Sequence, residues 1–236
     1  MIKNKKLLGL IPARGGSKRI HDKNVLDFCG EPLIVHTIRA GLNSSFIDRL
    51  VVTTEDDNIA EISKRYGADV PFKRPKALSS DSATSIDVVK HSIVTLREAG
   101  DEYDYVILLQ PTSPLRSECH INYAVQLLID KKADSILSVC EVDHPVECAN
   151  SLSRDGLLDG FLSSGLEHKP SQNYAKKYIP NGAIYLVKVK DIIENNTLIA
   201  PRNGYAYIMD REDSIDIDVN LDFRFAEFIF KNRKSN

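Results

Sequence analysis

Short apolar runs alternate with longer stretches of helical spacing along most of this chain. Residues 7–11, 49–54, 105–109, 135–139 and 181–187 are apolar runs of strand length, and the run at 105–109 (Tyr-Val-Ile-Leu-Leu) is the clearest. Runs without a polar alternation predict strands buried on both faces of a parallel sheet. Between them, residues 32–43, 57–66, 85–99 and 120–132 show helical periodicity, and 223–230 reads as an amphipathic closing helix. Pro32 suits a first helical turn, and Leu33, His36, Thr37, Ala40 and Gly41 share the inner face of that helix. Asp56 or Asp57 caps the next helix, which carries Ile59, Ile62 and Tyr66 and stops at Gly67. Strands alternating with helices predict βαβ units in an open, mostly parallel sheet flanked by helices. The pattern fails between residues 144 and 177, which are polar and turn-rich. That stretch predicts an inserted arm, set here at about 141–179, within a single domain spanning 1–236.

Composition narrows the picture. With 236 residues and 42% hydrophobic residues, one α/β domain buries a substantial core. The 31 basic and 33 acidic side chains nearly cancel, which argues against a nucleic-acid binder. Cys29, Cys119, Cys140 and Cys148 form no CxxC pair and read as small, mostly buried residues in a reducing compartment. The apolar run near the N-terminus is broken by Pro12 and Arg14, too soon for a signal segment or a membrane span. The expectation is a soluble, cytoplasmic protein with no membrane partner.

The chemistry concentrates where strands end. Arg14-Gly-Gly-Ser-Lys18 follows the first strand, where an open α/β sheet binds its ligands. Glycines let backbone N–H groups approach an anion, and Arg14 and Lys18 neutralise phosphate charge. Lys23 and Asn24 lie near enough to share that surface. The spacing is neither GxxxxGK[ST] nor GxGxxG, so a glycine turn with solvated cations is the competing reading. Gln110 directly follows the strand at 105–109, well placed to hydrogen-bond a ligand. Asp216 and Asp218 are two residues apart; in an extended segment they share one face, with Ile215, Ile217 and Val219 on the other, toward a core. Paired carboxylates suit a hard cation such as Mg²⁺ or Mn²⁺; an exposed acidic strand is the alternative.

The sequence resembles the CMP-sialic acid synthetases (acylneuraminate cytidylyltransferases). The resemblance rests on Ile11-Pro-Ala-Arg-Gly-Gly-Ser-Lys18, Lys23-Asn24, Arg74-Pro75, Ser80-Asp81, Leu109-Gln-Pro-Thr-Ser-Pro-Leu-Arg116, Pro180-Asn-Gly-Ala-Ile-Tyr185 and Ser214-Ile-Asp-Ile-Asp218, in family order across nearly the whole chain. It implies a Rossmann-like fold of nucleotidyltransferase type with a small dimerisation arm, and transfer of CMP from CTP to the anomeric hydroxyl of a nonulosonic acid, most simply N-acylneuraminate. It further implies a nucleotide site at Arg14, Gly16, Ser17, Lys18, Lys23, Asn24, Arg74, Ala83 and Ser85. Gln110, Gln172 and Tyr185 are implied to face the sugar, and Asp216 and Asp218 to hold the metal. Arg14, Lys23 and Asp218 are the implied catalytic residues, and a homodimer is implied. A core tyrosine remains an equal reading of Tyr185. The Gln-Pro-Thr-Ser-Pro-Leu-Arg block is expected to separate this group from the pseudaminic acid and ketodeoxyoctonate enzymes.

The arm departs from the pattern. Relatives carry an Arg near the position of Pro170 or Ser171; here only Lys169, Lys176 or Lys177 can supply a cation. Glu147 stands where some relatives have Lys. The region from Cys148 to Leu152, with Phe161-Leu, resembles synthetases acting on legionaminic acid, so CMP-N,N'-diacetyllegionaminic acid synthesis is the alternative. A generic sugar nucleotidyltransferase is a more distant one. A nucleotide-sensing module, the non-enzyme alternative, predicts loss of Lys23, Asp216 or Asp218, and all three are present.

Overall fold

The first apolar run becomes strand β1 (Leu7–Pro12), in which Leu7 and Ile11 face one side of a sheet while Leu8 and Leu10 face the other. The computed structural model describes residues 5–158 and 174–233. After β1 come a two-residue hairpin of β2 (Asp27–Phe28) and β3 (Glu31–Pro32), helix α1 (Leu33–Leu42), β4 (Arg49–Thr53) and α2 (Asp57–Arg65). Next are α3 (Ser85–Glu98), β5 (Tyr105–Leu108), α4 (Glu118–Lys131) and β6 (Ser135–Glu141). The chain closes with β7 (Tyr178–Lys188), α5 (Val189–Asn195), β8 (Gly204–Ile208) and α6 (Asn220–Arg233).

Six strands form one sheet in the order β4-β1-β5-β7-β6-β8. β1 pairs in parallel with β4 and β5, and β6 in parallel with β8. β7 runs antiparallel to both of its neighbours, β5 and β6. One face of the sheet packs Leu7, Ile11, Ile107, Ile136 and Ile184 against α1 and α4 through Ile34, Ile38, Ile121 and Val125. The other face packs Leu8, Leu10, Val106 and Val187 against α3 and α5 through Val89, Ile93, Leu96 and Ile192. Each fully buried aliphatic side chain of this kind contributes roughly 1.5–3 kcal/mol. A third cluster, with Phe28, Leu33, Leu115 and Ile217, fastens α6 to the hairpin.

The helices start where local chemistry says they should. Asp56 caps α2 by accepting the Ile59 N–H at 2.9 Å. Thr84 and Asp87 form a capping box at the start of α3. Three features differ from the sequence expectation, and the described part of the expected arm follows it. α5 is only seven residues long, too short to show a period. β8 is an edge strand with mostly exposed side chains, so it lacks the apolar run of a buried strand. Cys119 and Cys148 are exposed and the other two cysteines half-buried, because none lies on an inward face of a central strand. Within the expected arm, residues 149–158 hold no regular element and expose Leu152, Leu157 and Leu158. Lys176 and Lys177 are ion-paired with Glu141 and Glu147. Gln172, Lys169, Pro170, Ser171 and Phe161 lie outside the described residues. Among the described residues no helix is long and apolar enough to cross a membrane.

Candidate active site

A cleft of about 600 Å³ opens at the carboxyl ends of β1 and β5, bordered by Pro12 and Gln110. Arg14, Ser17, Lys18, Lys23, Asn24, Arg74, Ala83, Ser85, Gln110, Asp216 and Asp218 all contribute to its walls. Most residues singled out from the sequence therefore meet in one place. Gly16 belongs to the first loop and takes φ +62°, a left-handed conformation that favours glycine. The neighbouring Gly15 N–H donates to Glu55 Oε1 at 2.9 Å.

Glu55 is the hidden organiser of this wall. Its other oxygen, Oε2, accepts from Arg74 Nη2 at 2.8 Å and from Ser79 Oγ at 2.7 Å. Arg74 is buried; it also donates from Nη2 to the Ala13 carbonyl at 3.2 Å and from Nε to Ser79 Oγ at 3.0 Å. Burial pushes the Glu55 carboxyl up, yet Ser79 and Arg74 outweigh it and hold the group below its ordinary value. Arg74 thus binds the first loop to the 76–81 segment, although it also borders the cleft. Asn24 acts similarly, donating from Nδ2 to the Arg14 carbonyl at 2.9 Å. Ala83 and Ser85 flank the amino end of α3.

The exposed charges of this wall pair with each other. Asp81 meets Arg14 Nη1 at 2.9 Å and also pairs with Lys18. Those two cations hold the Asp81 carboxyl below its usual range, with Lys18 the larger influence.

The opposite wall is held by backbone. The Ile217 N–H donates to the Thr112 carbonyl at 2.9 Å, and the Lys23 ammonium donates to the Ile217 carbonyl. Lys23 is thereby fixed beside Asp218, 3.9 Å from Oδ1, while Arg19 reaches Asp218 Oδ2 at 2.8 Å. Burial lowers the Lys23 ammonium pKa against the pull of Asp218 and Asp216. Asp216 is exposed along the cleft. Partial desolvation by the protein around it raises its carboxyl pKa; a bond from Thr112 opposes the rise and the like charge of Asp218 adds to it. Gly182 takes φ +76°, and a Cβ there would lie 2.7 Å from Gln110 Oε1 and 3.3 Å from Asp216 Oδ2. Only glycine lets those two side chains close over this strand.

The segment from Ser214 to Val219 corrects one expectation. It is not a strand, and Val219 is exposed rather than turned to a core. Asp222 accepts the N–H groups of Asp218 and Val219, turning the chain into α6 before a strand can continue. Ile215 and Ile217 still point inward. Tyr185 packs against the core on the α3 side and is not part of the cleft wall. Burial, then the Asp216 charge, raises its phenol pKa.

The donor set fits a divalent cation. Among the described residues no group of three or more His, Cys, Asp or Glu gathers, so Asp216 and Asp218 stand as a pair. Mg²⁺ suits one or two carboxylates supplemented by substrate phosphates. Sequence reasoning missed Glu55, Arg19 and Thr112. Arg19 adjoins the Arg14–Lys18 motif and Thr112 lies inside the 109–116 block, so both had a positional signal. Glu55, a lone acid after a strand, had none.

The sequence model of the family described as Cytidylyltransferase matches residues 8–157. The chain is 34% identical over 226 residues to the pseudaminic acid cytidylyltransferase of Campylobacter jejuni, covering 96% of this chain and 97% of that one. It is 35% identical over 223 residues to the CMP-N,N'-diacetyllegionaminic acid synthase of Legionella pneumophila, covering 94% and 95%. It is also 35% identical over 223 residues to the N-acylneuraminate cytidylyltransferase of Escherichia coli O18:K1:H7, covering 94% of this chain and 51% of that one. These near-equal identities do not set the chain apart from the pseudaminic acid enzymes, as the 109–116 block was expected to do. A solved CMP:2-keto-3-deoxy-manno-octonic acid synthetase complexed with CTP superposes with a TM-score of 0.70 at 15% identity, covering 97% of this chain and 99% of that one, which shows the shared fold. A nucleotidyltransferase sheet, a phosphate-suited loop at its carboxyl edge and a family match over most of that sheet agree: the chain belongs to the cytidylyltransferase family and is an enzyme of nucleotidyltransferase type.

Proposed function

We propose that this protein transfers CMP from CTP to the anomeric hydroxyl of a nonulosonic acid, releasing pyrophosphate. The observation that carries this reading is the single cleft that sets Arg14, Lys18 and Lys23 against Asp216 and Asp218. Arg14, Lys18 and the Gly16–Ser17 backbone hold the triphosphate, and Lys23 stabilises charge on the departing pyrophosphate. Arg74 and Asn24 keep the loop in shape while the base and ribose lie toward Ala83 and Ser85. Gln110 hydrogen-bonds the acid sugar and orients its hydroxyl for in-line attack on the α-phosphate. Asp216 and Asp218 would hold Mg²⁺ or Mn²⁺, which when bound supplies charge neutralisation at the phosphates.

Among the acid sugars we take N-acylneuraminic acid first, as in the 35% identical relative from Escherichia coli; the Gln110–Arg116 block does not by itself separate it from the others. The relatives acting on legionaminic and pseudaminic acids make those two sugars the direct competitors. The exposed Leu152, Leu157 and Leu158 support an arm that meets a second subunit; sedimentation of the purified protein tests the homodimer. The reaction is tested by pyrophosphate release with CTP, ATP, GTP or UTP over a panel of nonulosonic acids. CTP-specific release with at least one acid sugar is the expected result, and release independent of CTP overturns it. Asp218→Ala is expected to abolish turnover at limiting Mg²⁺; near wild-type turnover removes the metal assignment.

A further inference from the structure

Arg116 is 2% exposed, and among the described residues no carboxylate pairs with it. Burial alone pushes its guanidinium pKa down to about 9. Its Nε and Nη2 are buried and make no hydrogen bond to the described residues. A cation in such a place is expensive, and an apolar side chain of like volume often serves stability as well or better. What the guanidinium does secure is specific. Its Nη1 donates to the Gln110 carbonyl at 3.2 Å and to the Ala183 carbonyl at 3.0 Å.

We propose that Arg116 is a positioning residue for the sugar half of the site, tying the loop that carries Gln110 to the strand that carries Gly182. The Gln110 carbonyl also accepts from the Ser113 N–H at 3.3 Å and Thr37 Oγ1 at 3.4 Å, so three donors fix one backbone group. Ala183 follows Gly182 directly, and its own N–H is held by Asn181 Oδ1 at 3.2 Å. Asn181 in turn donates from Nδ2 to Ser214 Oγ at 2.8 Å, at the start of the segment that carries Asp216. One buried guanidinium nitrogen therefore sets the spacing between Gln110 and Gly182, the close approach seen as 2.7 Å from Gln110 Oε1 to a Cβ at Gly182. Arg116 does not itself reach the cleft wall, so it acts through those two residues. The nucleotide wall has its own support in Glu55 and Arg74, which Arg116 does not touch.

The inference rests on Gln110 serving the acid sugar. A lysine at 116 keeps the charge, but its Nζ ends one bond short of the Nη1 that reaches both carbonyls. For Arg116→Lys, the sugar KM is expected to rise about tenfold, one strong hydrogen bond's worth, with the CTP KM within about twofold. Arg116→Met keeps the volume and removes every donor; it is expected to melt no lower than wild type while losing sugar affinity at least as much. In a Gln110→Ala background, Arg116→Lys is expected to add little to the sugar KM, because both changes remove the same contact. Sugar and CTP KM rising together with a lower melting temperature, or full additivity with Gln110→Ala, overturns the proposal. If Arg116→Met does not fold, the lysine variant and the double mutant decide. A wild-type chain inactive with every acid sugar removes the reaction and this inference with it; an active wild type with unchanged sugar KM in Arg116→Lys removes the inference alone.

Discussion

The two walls of the cleft are built by different means. On the first, Arg14 and Lys18 project from a glycine loop and pair with Asp81 near the surface. Such exposed pairs are heavily screened by solvent, so the cations can exchange Asp81 for a phosphate at little cost. On the second, the backbone carrying Gln110 and Gly182 is tied by the buried Arg116, and the Gln110 and Asp216 side chains close over Gly182. A nucleotide is recognised by charge, which tolerates some movement. A reacting hydroxyl must be placed to within a fraction of an ångström. The difference shows where the molecule keeps its rigidity, and substitutions on each wall should reveal it.

The largest effect is expected on the fixed wall. Gly182→Ala forces a strained φ and drives a methyl into Gln110 and Asp216; kcat/KM is expected to fall about 100-fold, the scale of a 1 Å misplacement. A loss under threefold would show that this wall yields after all. On the first wall the buttress matters more than the charges it presents. Glu55→Gln breaks the pairing with Arg74, and the CTP KM is expected to rise about tenfold with the sugar KM little changed. The same variant has a pH signature. Glu55 is held below its ordinary 4.5, so its stabilisation is complete above that pH and disappears as pH falls through the folded value. Wild-type and Glu55→Gln melting curves should separate near neutrality and converge once the pH falls below the lowered Glu55 value. Lys18→Ala, at a side chain 77% exposed, is expected to raise the CTP KM only about threefold. The smallest effect is on stability and has the opposite sign. Because the Asp216 pKa is raised, its charged form opposes folding at pH above its ordinary 3.8, and the opposition is full above the folded value. Asp216→Asn should therefore melt slightly above wild type at neutral pH by calorimetry, even as turnover is lost, the gain kept small by solvent at this exposed carboxylate.

Much of this was legible in the sequence where burial leaves a local trace. β1 and β5 read as strands because both faces are covered, and Asp56 read as a cap because α2 needs one. The antiparallel direction of β7 left no trace, since an apolar run looks the same in either direction. Asp216 and Asp218 were legible as a pair by spacing, but not the bend imposed by Asp222. Arg74 read as a cleft residue, whereas its partnership with Glu55 is a contact across 19 residues that no periodicity announces. Arg116 stood inside a recognised block, yet nothing in the sequence says that this cation is buried.

The place of β7 in the sheet bears on how the chain is made. β7 joins the β4-β1-β5 half to the β6-β8 half, and among the described residues no other strand bridges them. On the ribosome, β1, β4 and β5 emerge and pair while β5 still has one bare edge, and that edge stays open until residues 178–188 follow. An apolar strand edge left unpaired invites wrong partners. The central seam of the sheet, and Gly182 within it, is therefore completed late, ahead only of the edge strand β8. Nascent chains stalled before β7 should be the species that chaperones hold.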